Sequence, residues 1–182
     1  MNLPNKITLA RVCLIPIFLF VYLAQPFSEM PNMWVALIIF SVASITDAVD
    51  GYIARRYGLI SNFGKLMDPL ADKLLVCAAL VAFVASGTLA AWVVVLLISR
   101  EFFVSGLRQL AIEQGVVLAA SSSAKFKTIT QIVLIIYILL PIQMLRFDWM
   151  IVALTVVTTL ASLYSGIEYA VKNRKVFSVN EE

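Results

Sequence analysis

A chain of 182 residues that is 62% hydrophobic and only 14% charged, with a mean hydropathy of +0.95, has too little polar sequence to cover a water-exposed surface. The formal charge of +3 is small and the basic residues are scattered, which argues against nucleic-acid binding. No histidine is present, which removes the commonest general base and any histidine-based zinc site.

The apolar residues fall in runs long enough to cross a hydrocarbon core of about 30 Å, and six spans are expected. The first covers about 7–24. It has the look of a signal peptide, but Arg11 interrupts its start, the run is long, and no small-residue cleavage site is clear, so it reads as a retained span. A loop over 25–32, punctuated by Pro26 and Pro31, leads to a second span over 33–55. A polar stretch, 56–65, precedes the third span, 66–85, and Ser86, Gly87 and Thr88 turn the chain into the fourth, 89–110. A longer connection, 111–123, precedes the fifth span, 126–142, and a tight turn near 145–148 precedes the sixth, 149–171. The expectation is one all-α transmembrane catalytic domain over residues 1–182. Cys13 and Cys77 both lie inside apolar runs and read as buried small hydrophobes, not as a disulfide or a ligand pair.

Basic residues set the orientation. With a cytoplasmic N-terminus, all but Arg146 of the 14 Lys and Arg fall on the inner side, so both termini are expected inside. Trp34, Trp92 and Trp149 then fall near outer span ends, where an aromatic belt accounts for them.

Asp47 and Asp50 are three apart near the end of the second span, and Asp68 and Asp72 are four apart at the start of the third. Each pair shares a helix face, and the two helices are expected to be antiparallel neighbours. Four carboxylates in one low-dielectric locus repel one another unless a counter-charge or protons intervene. Hard divalent cations suit an all-oxygen site: magnesium, manganese or calcium. A single aspartate here has an ordinary alternative as a helix cap, and Asp68 before Pro69 fits that description. All four together, beside Gly51 and Arg55, point to function. Gly51 and Gly64 either admit a ligand or a neighbouring helix to the backbone, or serve packing and turns.

The segment D-x-x-D-G-x-x-A-R, eight residues, G-x-x-x-D-x-x-x-D, running from Asp47 to Asp72, resembles in full the signature of the CDP-alcohol phosphatidyltransferases. The resemblance implies that Asp47, Asp50, Asp68 and Asp72 coordinate Mg2+ or Mn2+ at a site open to the cytoplasm, with Asp72 also the general base. It places Gly51, Arg55 and Gly64 at the cytidine diphosphate part of the donor, CDP-diacylglycerol. It also implies a homodimer in the bacterial cytoplasmic membrane that transfers a phosphatidyl group to an alcohol and releases CMP.

The acceptor is read from other residues. Arg100, Arg108, Lys125 and Lys127 are expected on the inner side, level with the aspartates, where positive charge beside a metal suits an acceptor that itself carries phosphate. Topology alone also puts Lys and Arg at inner ends, where they reach lipid headgroups. The stretches R-E-F-F-V-S-G-L-R from Arg100 and K-F-K-T-x-x-Q from Lys125, with the opening N-L-P-N-K-I-T-L-A-R, are similar to those of the family's bacterial phosphatidylglycerolphosphate synthases, although Ala124 stands where that group more often has glycine. That similarity implies glycerol 3-phosphate as acceptor, its phosphate held by Arg100, Arg108, Lys125 and Lys127 with help from Thr128 and Gln131. Asn5, Thr8 and Arg11 would line the substrate side, although Asn5 and Thr8 suit helix capping equally. Inositol phosphate, inositol, serine or diacylglycerol is the alternative acceptor. An ion carrier using the aspartates is the reading from another class, and it requires divalent flux with no CMP release.

Overall fold

A computed structural model describes the backbone of residues 3–26, 29–57, 62–115, 121–141 and 147–174, and the side chains in those ranges apart from residues 3–7, 29–30, 47–57, 62–69 and 72. Among the described residues the chain is all-α, with six helices: α1 (Leu3–Ala24), α2 (Glu29–Tyr57), α3 (Asn62–Ala85), α4 (Ala91–Glu113), α5 (Ser122–Leu139) and α6 (Asp148–Lys172). They fall into two compact units. One holds α1, α2, α3 and the end of α5; the other holds α4, α6 and the rest of α5.

Several helices outrun the apolar spans. α2 begins at Glu29 and α3 at Asn62, so polar residues flanking each apolar stretch continue the backbone hydrogen bonding. Asp68 and Pro69 therefore lie within α3 and not at its start, which removes the capping explanation for Asp68. α5 stops at Leu139, short of 142, because Pro141 disfavours the helical conformation at the residue before it. α3 ends in a Schellman turn: Thr88 N–H donates to the Phe83 carbonyl at 2.9 Å and Gly87 N–H to that of Val84 at 3.0 Å. Gly87 sits at φ +73°, a conformation in which a side chain is strained.

In the first unit α1 packs against both α2 and α3, and α2 against α3. Small residues permit the close approach: Ala36 and Ala43 on α2 and Ala79 and Ala82 on α3 are buried. Aromatic rings fill the rest. Phe18 lies 6.0 Å from Tyr22 and 6.2 Å from Phe40, and Tyr22 meets Phe83 edge-on at 5.4 Å. The Tyr22 hydroxyl, 3.1 Å from Ser86 Oγ, ties the end of α1 to the turn after α3. Cys13 is exposed and Cys77 half-buried, so the expectation that both are buried fails, most plainly for Cys13: a helix inside an apolar run still has a face turned away from its neighbours.

In the second unit α4 packs along α6, with Val104, Leu107 and Tyr169 in one buried cluster. α6 has its polarity inside out relative to a water-soluble helix. Thr158, Ser162, Ser165 and Gly166 are buried, while Val152, Val156, Leu160, Leu163, Ile167 and Val171 are exposed. Water would penalise that arrangement and lipid would not. α5 and α6 are each long and apolar enough to cross a membrane. The chain is a membrane-associated, mostly helical protein.

Candidate functional site

Asp47, Asp50, Gly51 and Arg55 lie on the last three turns of α2, and Gly64, Asp68 and Asp72 on the first half of α3. The two helices pack against each other, so the backbone brings both carboxylate pairs into neighbouring elements of one unit. The side chains of these seven residues, and of Asn5, lie outside the described set. Among the described residues no group of three or more His, Cys, Asp or Glu stands close enough to hold a metal. Thr8 and Arg11, one turn apart on α1, are both buried, Arg11 completely. A fully buried guanidinium is costly without compensation and belongs to a polar locus within the helix packing.

The six residues expected at the acceptor phosphate separate into two sets. Arg108 on α4 and Lys125 and Thr128 on α5 line one cleft of about 430 Å³, together with Ala124 and Ile129. All three polar residues are exposed. Arg100, Lys127 and Gln131 are buried and do not line that cleft. The split follows from helix geometry. Lys125, Thr128 and Ile129 share one face of α5, whereas Lys127 and Gln131, four apart, share another.

Arg100 and Lys127 of the buried set share one polar network. Lys127 Nζ pairs with Glu101, and Arg100 Nη1 lies 3.6 Å from the same carboxylate. Arg100 Nη2 donates to Ser165 Oγ at 2.5 Å. Ser165 Oγ lies 3.3 Å from Ser123 Oγ, and Ser123 donates to Glu168, which also pairs with Lys172. α4 is thereby tied to α5 and α6, and the first turn of α5 to the last turns of α6. The start of α5 is closed by Ser121, whose Oγ accepts from Ala124 N–H at 3.3 Å. α4 and α5 carry four cations, Arg100, Arg108, Lys125 and Lys127, against two carboxylates, Glu101 and Glu113, and Glu101 pairs with Lys127 and Arg100. The cleft also lies at the positive end of the α5 dipole. The surplus suits a multiply charged anion.

Arg108 is itself held. Its Nε donates to the Tyr169 hydroxyl at 3.2 Å, and its guanidinium carbon lies 5.8 Å from the ring centroid, at the outer reach of a cation–π contact.

The family model for CDP-alcohol phosphatidyltransferases matches residues 1–161. The chain belongs to the CDP-alcohol phosphatidyltransferase family. Among its relatives is the CDP-diacylglycerol--glycerol-3-phosphate 3-phosphatidyltransferase of Bacillus subtilis (strain 168), 46% identical over 185 residues that cover 94% of this chain and 95% of that one. A Rickettsia bellii protein of the same name is 40% identical, over 71% of this chain and 70% of its own length. A probable phosphatidylglycerophosphate synthase of Mycobacterium tuberculosis is 40% identical, over 78% and 68%. The resemblance read from Asp47 to Asp72 and from the basic stretches is borne out, and the chain carries the family's CDP-alcohol phosphatidyltransferase activity in lipid biosynthesis.

Five residues of this phosphatidyltransferase escaped the sequence reading: Ser123, Ser165, Gly166, Glu168 and Tyr169. Gly166 leaves room for Arg100, whose Cγ would stand 3.2 Å from a Cβ there. A signal for part of this set was present, since Thr158, Ser162, Ser165 and Tyr169 recur at helical spacing within an apolar span.

Proposed function

We propose that the chain transfers the phosphatidyl group of CDP-diacylglycerol to glycerol 3-phosphate, releasing CMP and forming phosphatidylglycerol phosphate. The observation that carries the acceptor is the cleft at Arg108, Lys125 and Thr128: two exposed cations and a hydroxyl, of a size for a small phosphate ester. The names of the relatives agree with that choice.

The remaining assignments follow from the family and the donor chemistry. Asp47, Asp50, Asp68 and Asp72 would hold Mg2+ or Mn2+, an all-oxygen set on two packed helices. A bound metal would neutralise pyrophosphate charge and stabilise the departing CMP. Gly51, Arg55 and Gly64, with Asn5 and Thr8, would receive the cytidine diphosphate part of the donor. The acceptor hydroxyl oxygen attacks the lipid-side phosphorus, the bond from that phosphorus to the CMP oxygen breaks, and Asp72 takes the hydroxyl proton. With no histidine in the chain, a carboxylate is the natural base. Arg108 and Lys125 hold the acceptor phosphate. The enzyme is a homodimer of six-span protomers, each one catalytic domain over 1–182, with both termini and the site on the cytoplasmic side of the bacterial cell membrane.

The test is CMP release by purified protein in detergent with CDP-diacylglycerol and magnesium, offering glycerol 3-phosphate, inositol phosphate, inositol and serine separately. Release with glycerol 3-phosphate alone, abolished by chelation and restored by magnesium or manganese, is expected. Release with another alcohol retains the aspartate assignment and discards the acceptor. Divalent flux into liposomes without CMP release would establish a carrier instead.

A further inference from the structure

We propose that Tyr169 is a positioning residue for acceptor binding: its hydroxyl holds Arg108 by Nε so that the two terminal nitrogens of the guanidinium are presented to the acceptor's phosphate. The proposal rests on the reading of the Arg108, Lys125 and Thr128 cleft as the acceptor-phosphate site.

Three observations converge on it. The first is how firmly Tyr169 is placed. Tyr169 is 2% exposed and packs in one cluster with Val104 and Leu107 of α4. Its carbonyl accepts from both the backbone N–H of Asn173 at 3.2 Å and Asn173 Nδ2 at 2.8 Å, closing the last turn of α6 around it. The second is the chemistry of the contact. A phenylalanine would fill the same apolar space, and a buried hydroxyl costs stability unless it is bonded. The partner that the tyrosine hydroxyl has here is Arg108 Nε. The third is the division of donors on Arg108. A guanidinium carries five N–H donors in a fixed fork, and with Nε given to Tyr169 the outer edge remains for paired bonds to phosphate oxygens.

The gain is preorganisation. Arg108 is an exposed long side chain, and ordering it at the moment of binding would weaken acceptor affinity. Arg108 sits one residue beyond Leu107, whose side chain packs with the Tyr169 ring, so α4 and α6 carry the ring and its charge together. Lysine at 108 would keep the charge but has no Nε–H to give while also presenting a fork.

The test is steady-state kinetics of detergent-purified wild type, Y169F, R108K and the double variant, varying glycerol 3-phosphate and CDP-diacylglycerol in turn, with thermal unfolding of each in parallel. Y169F is expected to raise the KM for glycerol 3-phosphate about five- to tenfold, leaving kcat, the KM for CDP-diacylglycerol and the melting temperature near wild type. R108K is expected to raise the same KM, and adding Y169F to it to change little more, since the two act through one contact. A wild-type acceptor KM in Y169F overturns the proposal. So does a loss confined to kcat or to the donor, or an effect fully additive with R108K. Wild-type protein that releases no CMP with glycerol 3-phosphate overturns the functional reading itself, and this inference with it.

Discussion

Lys125 and Lys127 stand two residues apart on α5 and meet opposite surroundings, because two residues of α-helix rotate a side chain by about 200°. Lys125 is exposed in the cleft; Lys127 is 1% exposed and paired with Glu101. Replacing them should separate binding from folding. Lys125→Ala removes one charge-assisted contact to phosphate and is expected to raise the acceptor KM about five- to tenfold, with an unchanged melting temperature in detergent. Lys127→Met keeps the stem but strips Glu101 of its closer cation, leaving Arg100 at 3.6 Å. Breaking a buried pair from one side costs about 3 kcal/mol, so a clear fall in melting temperature is expected. Acceptor kinetics and thermal unfolding of the two purified variants check this; equal effects of both on KM, with no difference in melting temperature, would place both lysines in the cleft.

At the scale of the helix, the approach of α5 to α6 rests on hydroxyls and one carboxylate. Glu168 receives Ser123 from the first turn of α5 and Lys172 from its own helix. Glu168→Ala removes the acceptor at the centre of that tie. The first turn of α5 is expected to exchange its amide hydrogens faster over residues 121–125, and the acceptor KM to rise with it, because Lys125 is carried on that turn. Hydrogen exchange with mass spectrometry on wild type and variant reads the first effect directly; unchanged exchange would show that the tie orders nothing. This element also shows what a sequence can and cannot reveal. The number and order of helices follow from apolar run length, and the carboxylate helices α2 and α3 from the spacing of Asp47, Asp50, Asp68 and Asp72. Charge and side of the membrane alone do not separate the basic residues that face a cleft from those that are buried. Applying the helical period to α5 groups Lys125 with Thr128, and Lys127 with Gln131. The pairing of Arg108 with Tyr169 is another matter. It joins residues 61 apart through the packing of α4 on α6, and no local pattern encodes it. Helix ends differ from span ends for a related reason: hydropathy reports where the apolar run begins, while hydrogen bonding carries α2 into polar sequence at both ends and α3 at its start.

For the whole molecule the governing fact is the solvent. A helix that buries Thr158, Ser162 and Ser165 while exposing valine, leucine and isoleucine has chosen lipid over water, and a chain so built is oriented by its charges. All but Arg146 of its 14 basic residues fall on one side if the N-terminus is cytoplasmic and each helix crosses once. Reversing the orientation would ask the other side to carry that excess, against the bias that governs insertion. Ala90, exposed ahead of α4, then belongs outside, and Arg174, exposed just after α6, belongs inside. With Cys13 and Cys77 both changed to alanine, single Ala90→Cys and Arg174→Cys variants place one thiol at each surface. A membrane-impermeant maleimide applied to intact bacterial spheroplasts is expected to label the variant at 90 and to reach the variant at 174 only after lysis. Labelling in the reverse order would invert the protein and put the Arg108 and Lys125 cleft out of reach of a cytoplasmic phosphate ester. Labelling of both without lysis would mean an even number of crossings between 90 and 174, which would break the six-span proposal while leaving the family chemistry of α2 and α3 untouched.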